Sequence, residues 1–165
     1  MQGELRMNNL FFDESLILRD VEAQTKEEII RKMSDHLEKR GLVKPTYKQA
    51  VIDREKKFAT GLPTTSCSVA IPHTDTKHVN EKSICVAVLK NPVDFGVMGD
   101  EVTTPVKLVF MLAMDEEHGQ LSLLQKLMQI FQSAEMLDYL CNEIDKTRIK
   151  EKIESYLGFA LKGGE

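Results

Sequence analysis

Apolar residues recur along the chain in two rhythms, one with helical spacing and one of short unbroken runs. Ile29, Ile30, Met33 and Leu37 make one helical stripe that ends before Gly41. Ahead of it, Thr25-Lys26-Glu27-Glu28 has the spacing of a capping box. After Pro45, the positions of Tyr47, Ala50, Val51 and Phe58 predict a second helix over 46–58. Residues 83–89 (SICVAVL) and 106–114 (VKLVFMLAM) are continuous apolar runs rich in β-formers. Such runs are typical of strands covered on both faces. Residues 15–18 suggest a short first strand, and the intervening NPVDFGVMGDEVTTP a loop with a short strand. Leu121, Leu124, Leu127, Met128 and Phe131 form another helical stripe, assigned to the core. Two further helices are expected over 134–141 and 145–157, the second with Ile149, Ile153 and Leu157 on one face. Strands alternating with helices predict an α/β sandwich.

Composition narrows the class. At 165 residues, with no repeat, Gly/Ser tract or low-complexity linker, the chain is expected to form a single domain over 13–160 behind a flexible leader of residues 1–12. A net charge of −4 with no Lys/Arg-dense stripe argues against a nucleic-acid partner. Arg54, Lys56 and Lys57 are a short basic cluster interleaved with acids, the pattern of a solvated helix face. The three cysteines, Cys67, Cys85 and Cys141, match neither a disulfide framework nor a C-x-x-C zinc pair, and fit reduced thiols in a cytoplasm. The N-terminus lacks the charged-then-apolar pattern of a signal peptide. The longest apolar run, 108–114, is far short of the ~20 residues that span a bilayer. Any membrane contact is therefore expected to come through a partner.

The candidate chemistry concentrates in GLPTTSCSVAIPHTDTKHV, residues 61–79. His73 follows the apolar run Val69-Ala70-Ile71 and is set in direction by Pro72. A neutral imidazole is a good nucleophile near neutral pH, because its unperturbed pKa is about 6.5. Gly61 allows close backbone approach, and Thr60, Thr64, Thr65, Ser66 and Thr74 supply hydroxyls suited to an anion. A proline-turn histidine beside a polar loop fits the same residues. Arg54 lies seven residues after Tyr47 and so shares its inward side. An inward arginine needs an anionic partner, either a structural carboxylate or a phosphoryl group. His73, Asp75 and His78 offer metal donors within six residues, but lack the H-E-x-x-H spacing of a helical zinc site. No G-x-S-x-G or P-loop pattern is present. His36, at the flank of its helical stripe, is expected to be structural.

Taken together, Arg54-Glu55, Thr60-Gly61 and Val69-Ala70-Ile71-Pro72-His73 resemble the signature of the IIA components of the bacterial phosphoenolpyruvate:sugar phosphotransferase system, in the fructose/mannitol superfamily. The apolar strand and the Leu121-Ser122-Leu123-Leu124 helix fall in the family's order, so the resemblance covers about 16–157. It implies a mixed β-sheet sandwiched between helices. It also implies that His73 takes a phosphoryl group from the phosphohistidine of HPr and passes it to a IIB component. Arg54, Thr60 and Gly61 would stabilise the phosphoryl oxygens, without metal or other cofactor, and a membrane IIC transporter would be an indirect partner.

The family places a second histidine at the start of the Leu-x-Leu-Leu helix. Here Gln120 takes that position, with His118 two residues earlier. Gln120 and the run His73-Thr74-Asp75 through His78-Val79 are more similar to the galactitol-specific branch, whose IIB partner accepts on a cysteine. His78 and His118 remain open as pocket residues. Two alternatives stay alongside: a regulatory, nitrogen-type IIA switch phosphorylated on the same histidine, and a metal-dependent hydrolase using His73, Asp75 and His78.

Overall fold

The computed structural model describes residues 10–157. In chain order the regular elements are β1 (Ile17–Val21), α1 (Lys26–Lys39), α2 (Tyr47–Lys57), β2 (Ser68–Ala70), β3 (Ser83–Gly96), β4 (Thr103–Ala113), α3 (Glu117–Phe131), α4 (Ala134–Asn142) and α5 (Lys146–Leu157). Short 3-10 turns cover Glu14–Leu16 and Thr76–His78. The strands form one sheet in the order β1-β3-β4-β2. β1 runs parallel to β3, β2 parallel to β4, and β3 antiparallel to β4. The sheet is therefore mixed.

Helices cover both of its faces. Successive strand residues point to opposite sides. Ser34 of α1 reaches the sulfur of Met111 on β4, while Phe131 of α3 packs edge-on against the neighbouring Phe110, with ring centroids 5.3 Å apart. Thus α1 and α3 lie on opposite faces. The double cover explains why residues 84–89 and 108–113 are buried without alternation.

Local signals hold at the helix ends. Thr25 caps α1 by accepting from the Glu28 amide at 3.2 Å. Glu116 caps α3 through the Gly119 amide, and Ser133 caps α4 through the Met136 amide. Ile149, Ile153 and Leu157 are buried along α5 as the spacing predicts. His36 is structural, its Nε2 2.6 Å from the Ser15 carbonyl.

The structure departs from the sequence expectations in four places. The first strand is Ile17–Val21 rather than 15–18, because Asp13 caps a 3-10 turn over Glu14–Leu16 first. The expected leader of residues 1–12 lies mostly outside the described residues. Within it, Leu10 and Phe12 are fully buried, so the packed body takes in residues 10–12. NPVDFGVMGDEVTTP is not a loop but the far half of a long β3–β4 hairpin turning at Gly99, where φ is +75°. Pro92 is tolerated there because the register shifts between Val88 and Val93. Finally, α3 buries Leu123, Leu127, Ile130 and Phe131, whereas Leu121 and Met128 are exposed.

Candidate functional site

His73 stands where β2 ends. The Leu112 amide donates to the Pro72 carbonyl at 3.0 Å, which carries the β2 chain one step further along β4. Because β2 and β4 are parallel, their carboxyl ends meet at one side of the sheet, where α3 begins four residues after β4. Parallel strands commonly present binding groups at that side.

The imidazole is oriented by its own backbone. Nδ1 lies 2.7 Å from the Ile71 carbonyl. A carbonyl only accepts, so Nδ1 carries the proton, and the lone pair is on Nε2. Burial, and then the nearby Arg54 guanidinium, hold the ring's pKa below its ordinary value, against the opposing pull of the Ile71 bond. The ring is therefore neutral at pH 7, as a nucleophile requires.

Ile71 is itself anchored. Its amide donates to Thr60 Oγ1 at 3.1 Å, and the same hydroxyl donates to Glu55 Oε1 at 2.8 Å. The Thr60 amide donates to Glu55 Oε2 at 2.7 Å. A continuous chain thus runs from Glu55 on α2 through Thr60 and Ile71 to His73. Glu55 is 2% exposed, and burial raises its pKa despite both Thr60 bonds. The spaced Arg-Glu and Thr-Gly pairs carried this signal in the sequence, but Glu55 was not among the expected site residues.

Thr60 and Gly61 were expected to stabilise an anion. Their donors are already engaged: Thr60 as above, and the Gly61 amide with the Gly96 carbonyl at 2.9 Å. Thr60 anchors Ile71, whose carbonyl holds His73, and Gly61 packs against the strand at Gly96. A Cβ on Gly61 would come within 2.5 Å of the Gly96 carbonyl oxygen, so this close strand approach requires glycine.

Arg54 leaves the last turn of α2 half-buried, its guanidinium 4.7 Å from the centroid of the exposed Phe58 ring. Among the described residues its Nε is buried without a hydrogen-bond partner. On α3, the Gln120 Oε1 is likewise buried without a partner. Buried unpaired polar atoms are costly, and both lie on elements that converge on the His73 side.

The other two candidate histidines are placed apart from this chain of bonds. His78 accepts or donates at Nδ1 with the Thr46 hydroxyl, 2.8 Å away at the start of α2. His118 is exposed in the first turn of α3. Among the described residues, no group of three or more His, Cys, Asp or Glu side chains is placed to hold a metal ion, so His73, Asp75 and His78 do not converge. Among the described residues, no helix is long and apolar enough to cross a membrane.

Comparison with known proteins gives a consistent picture. The family model described as "Phosphoenolpyruvate-dependent sugar phosphotransferase system, EIIA 2" matches residues 10–156. The galactitol-specific EIIA component of Escherichia coli (strain K12) is 28% identical over 151 residues, covering 92% of this chain and 97% of that protein. The mannitol-specific IIA component of Enterococcus faecalis is 30% identical over 132 residues, 78% of this chain and 87% of that one. In structure, the chain is similar to IIA mannitol of Escherichia coli in complex with phosphorylated IIB mannitol. That likeness has a TM-score of 0.70 and 25% identity, covering 90% of this chain and 97% of the other.

Proposed function

The chain belongs to the EIIA 2 family of the phosphoenolpyruvate-dependent sugar phosphotransferase system, and we propose that within it His73 is the phosphoryl acceptor and donor. The observation that carries this is the state of the imidazole: Nδ1–H fixed on the Ile71 carbonyl, Nε2 left with its lone pair, and the ring held neutral.

Phospho-HPr is the donor. Nε2 of His73 attacks the phosphorus in line, the P–N bond to the HPr imidazole breaks, and a P–Nε2 bond forms. The proton stays on Nδ1 throughout, hydrogen-bonded to the Ile71 carbonyl. In the second half, a cysteine thiolate of the IIB component attacks the same phosphorus, and Nε2 leaves with the bonding pair. Such a relay needs positioning and charge stabilisation rather than further covalent help from the protein. Arg54 supplies the charge, and its unpaired Nε gains the anionic partner it lacks at rest. The Gln120 amide adds a neutral hydrogen-bonding group where relatives of this family carry a histidine. Glu55 and Thr60 act one step removed, by fixing Ile71.

The match to the galactitol-specific component over nearly its full length supports galactitol or a related polyol as the transported substrate. The test is reconstitution with phosphoenolpyruvate, enzyme I and HPr, followed by addition of a galactitol-type IIB. We expect one acid-labile phosphate on the chain that is discharged by IIB. Phosphate that loads but is not passed to any IIB would favour a regulatory switch instead.

A further inference from the structure

Two of the three cysteines, 74 residues apart in sequence, meet in the fold: the sulfurs of Cys67 and Cys141 are 3.2 Å apart. Cys67 ends the loop before β2, Cys141 lies in the last turn of α4, and both are half-buried. Cys85 is separate, sealed in β3 with its thiol pushed up to about 12 by burial.

The contact is set by backbone on both sides. The Cys67 carbonyl accepts from the Thr64 hydroxyl at 2.6 Å, and the Ser66 hydroxyl bonds to Asp138 on α4. Opposite, the Arg19 guanidinium donates to the Leu140 and Cys141 carbonyls at 3.4 and 3.1 Å, closing the end of α4. A thiolate metal site would want further ligands, and among the described residues no third ligand joins this pair. A disulfide needs none: the sulfurs have only about 1.2 Å to travel to bonding distance.

We propose that Cys67 and Cys141 are a reversible oxidation site, converted by hydroperoxides to an intramolecular disulfide that ties the loop before β2 to α4. Cys67 is the attacking residue. The contact with Cys141 holds Cys67 below its ordinary thiol range while raising Cys141. Cys67 ionises to solvent, its thiolate attacks one oxygen of hydrogen peroxide, the O–O bond breaks, and the departing hydroxide takes a proton back from solvent as water. The Cys67 sulfenic acid is then attacked by the Cys141 sulfur. The S–S bond forms, and the sulfenic oxygen leaves as a second water with the Cys141 proton. Two thiols have lost two electrons and two protons to one peroxide.

The test uses the full chain treated with hydrogen peroxide, then alkylated under denaturing conditions. We expect one alkylatable thiol to remain, a non-reduced peptide joining Cys67 to Cys141, and full reversal by dithiothreitol. The oxidised form should melt about 5–10 °C higher, because the bridge restricts the unfolded chain. Cys67→Ser and Cys141→Ser should each prevent the bridge, with Cys141→Ser leaving a sulfenic acid on Cys67 that dimedone traps. His73→Ala should oxidise as the wild type does, which separates this site from phosphoryl transfer. Three alkylatable thiols after peroxide, a bridge to Cys85, or only intermolecular dimers would overturn the proposal.

Discussion

Thr60→Val tests whether the bond chain beneath His73 is real. Valine keeps the shape of threonine but removes the one hydroxyl that both donates to Glu55 Oε1, at 2.8 Å, and accepts from the Ile71 amide, at 3.1 Å. Thr60 is 4% exposed and Ile71 1%, so water cannot replace either partner. Losing the bond to a buried carboxylate costs about 1.5–3 kcal/mol, and orphaning the Ile71 N–H about 1–3 kcal/mol. The new methyl returns under about 1 kcal/mol of apolar burial. The net loss should be about 2–4 kcal/mol, visible as a fall of about 1–2 M in the urea midpoint with an unchanged slope. Thr60→Ser keeps the hydroxyl and should lose no more than about 1.5 kcal/mol. Because Ile71 also orients His73, the rate of phosphoryl acceptance by folded Thr60→Val should fall about 10- to 100-fold. A Thr60→Val protein within 0.5 kcal/mol (about the limit for uncoupled surface changes) of wild type, or more stable than Thr60→Ser, would refute the chain.

Further outcomes follow from the same geometry. Glu55 has its pKa raised above 4.5 in the fold, so its stabilisation is fully present below that value and is lost as pH rises through the higher folded value. Glu55→Gln should flatten that decline in urea midpoints as pH rises above 4.5. His73 has a depressed pKa, so acceptor activity should persist as pH falls below 6.5 and be lost only at the lower folded value. Arg54→Gln should shift that inflection upward, and Arg54→Lys should keep it while slowing single-turnover transfer about 10²–10³-fold. Gly61→Ala should destabilise by about 1–3 kcal/mol in thermal or urea melts, since its Cβ meets a backbone oxygen that cannot swing aside. Gln120→Glu should impair phosphorylation by charge repulsion whereas Gln120→His is tolerated; equal rates for both would remove Gln120 from the pocket.

Much of this was legible before any coordinates, and the exceptions have physical causes. The unbroken apolar runs around Val86 and Val109 marked doubly covered strands, and the Thr25 cap marked the start of α1. The stripe expected on α3 is core at Leu127 and Phe131 but exposed at Leu121 and Met128, because Leu121, Leu123, Leu124, Leu127, Met128, Ile130 and Phe131 populate more than one helical face. Periodicity alone cannot choose between such faces. The distal hairpin was hidden by Pro92, Gly96 and Gly99, residues that signal turns yet are absorbed by a register shift and a single tight reversal. At the site, the sequence singles out His73 and Arg54 as candidates, while the engagement of the Thr60 and Gly61 donors depends on partners distant in the chain. Nor could spacing reveal that Cys67 and Cys141 meet, since only the packing of α4 against the β2 loop brings them together.

The most direct test is the position of the phosphate on the imidazole. The chain, labelled with 15N at histidine, is phosphorylated with phosphoenolpyruvate, enzyme I and HPr, and its ring nitrogens are read by long-range proton–nitrogen correlation. A phosphoryl group on Nε2 of His73, with Nδ1 still protonated and no label in the His73→Ala protein, is the predicted result. Phosphate on Nδ1 of His73, or on His78 or His118, would contradict it.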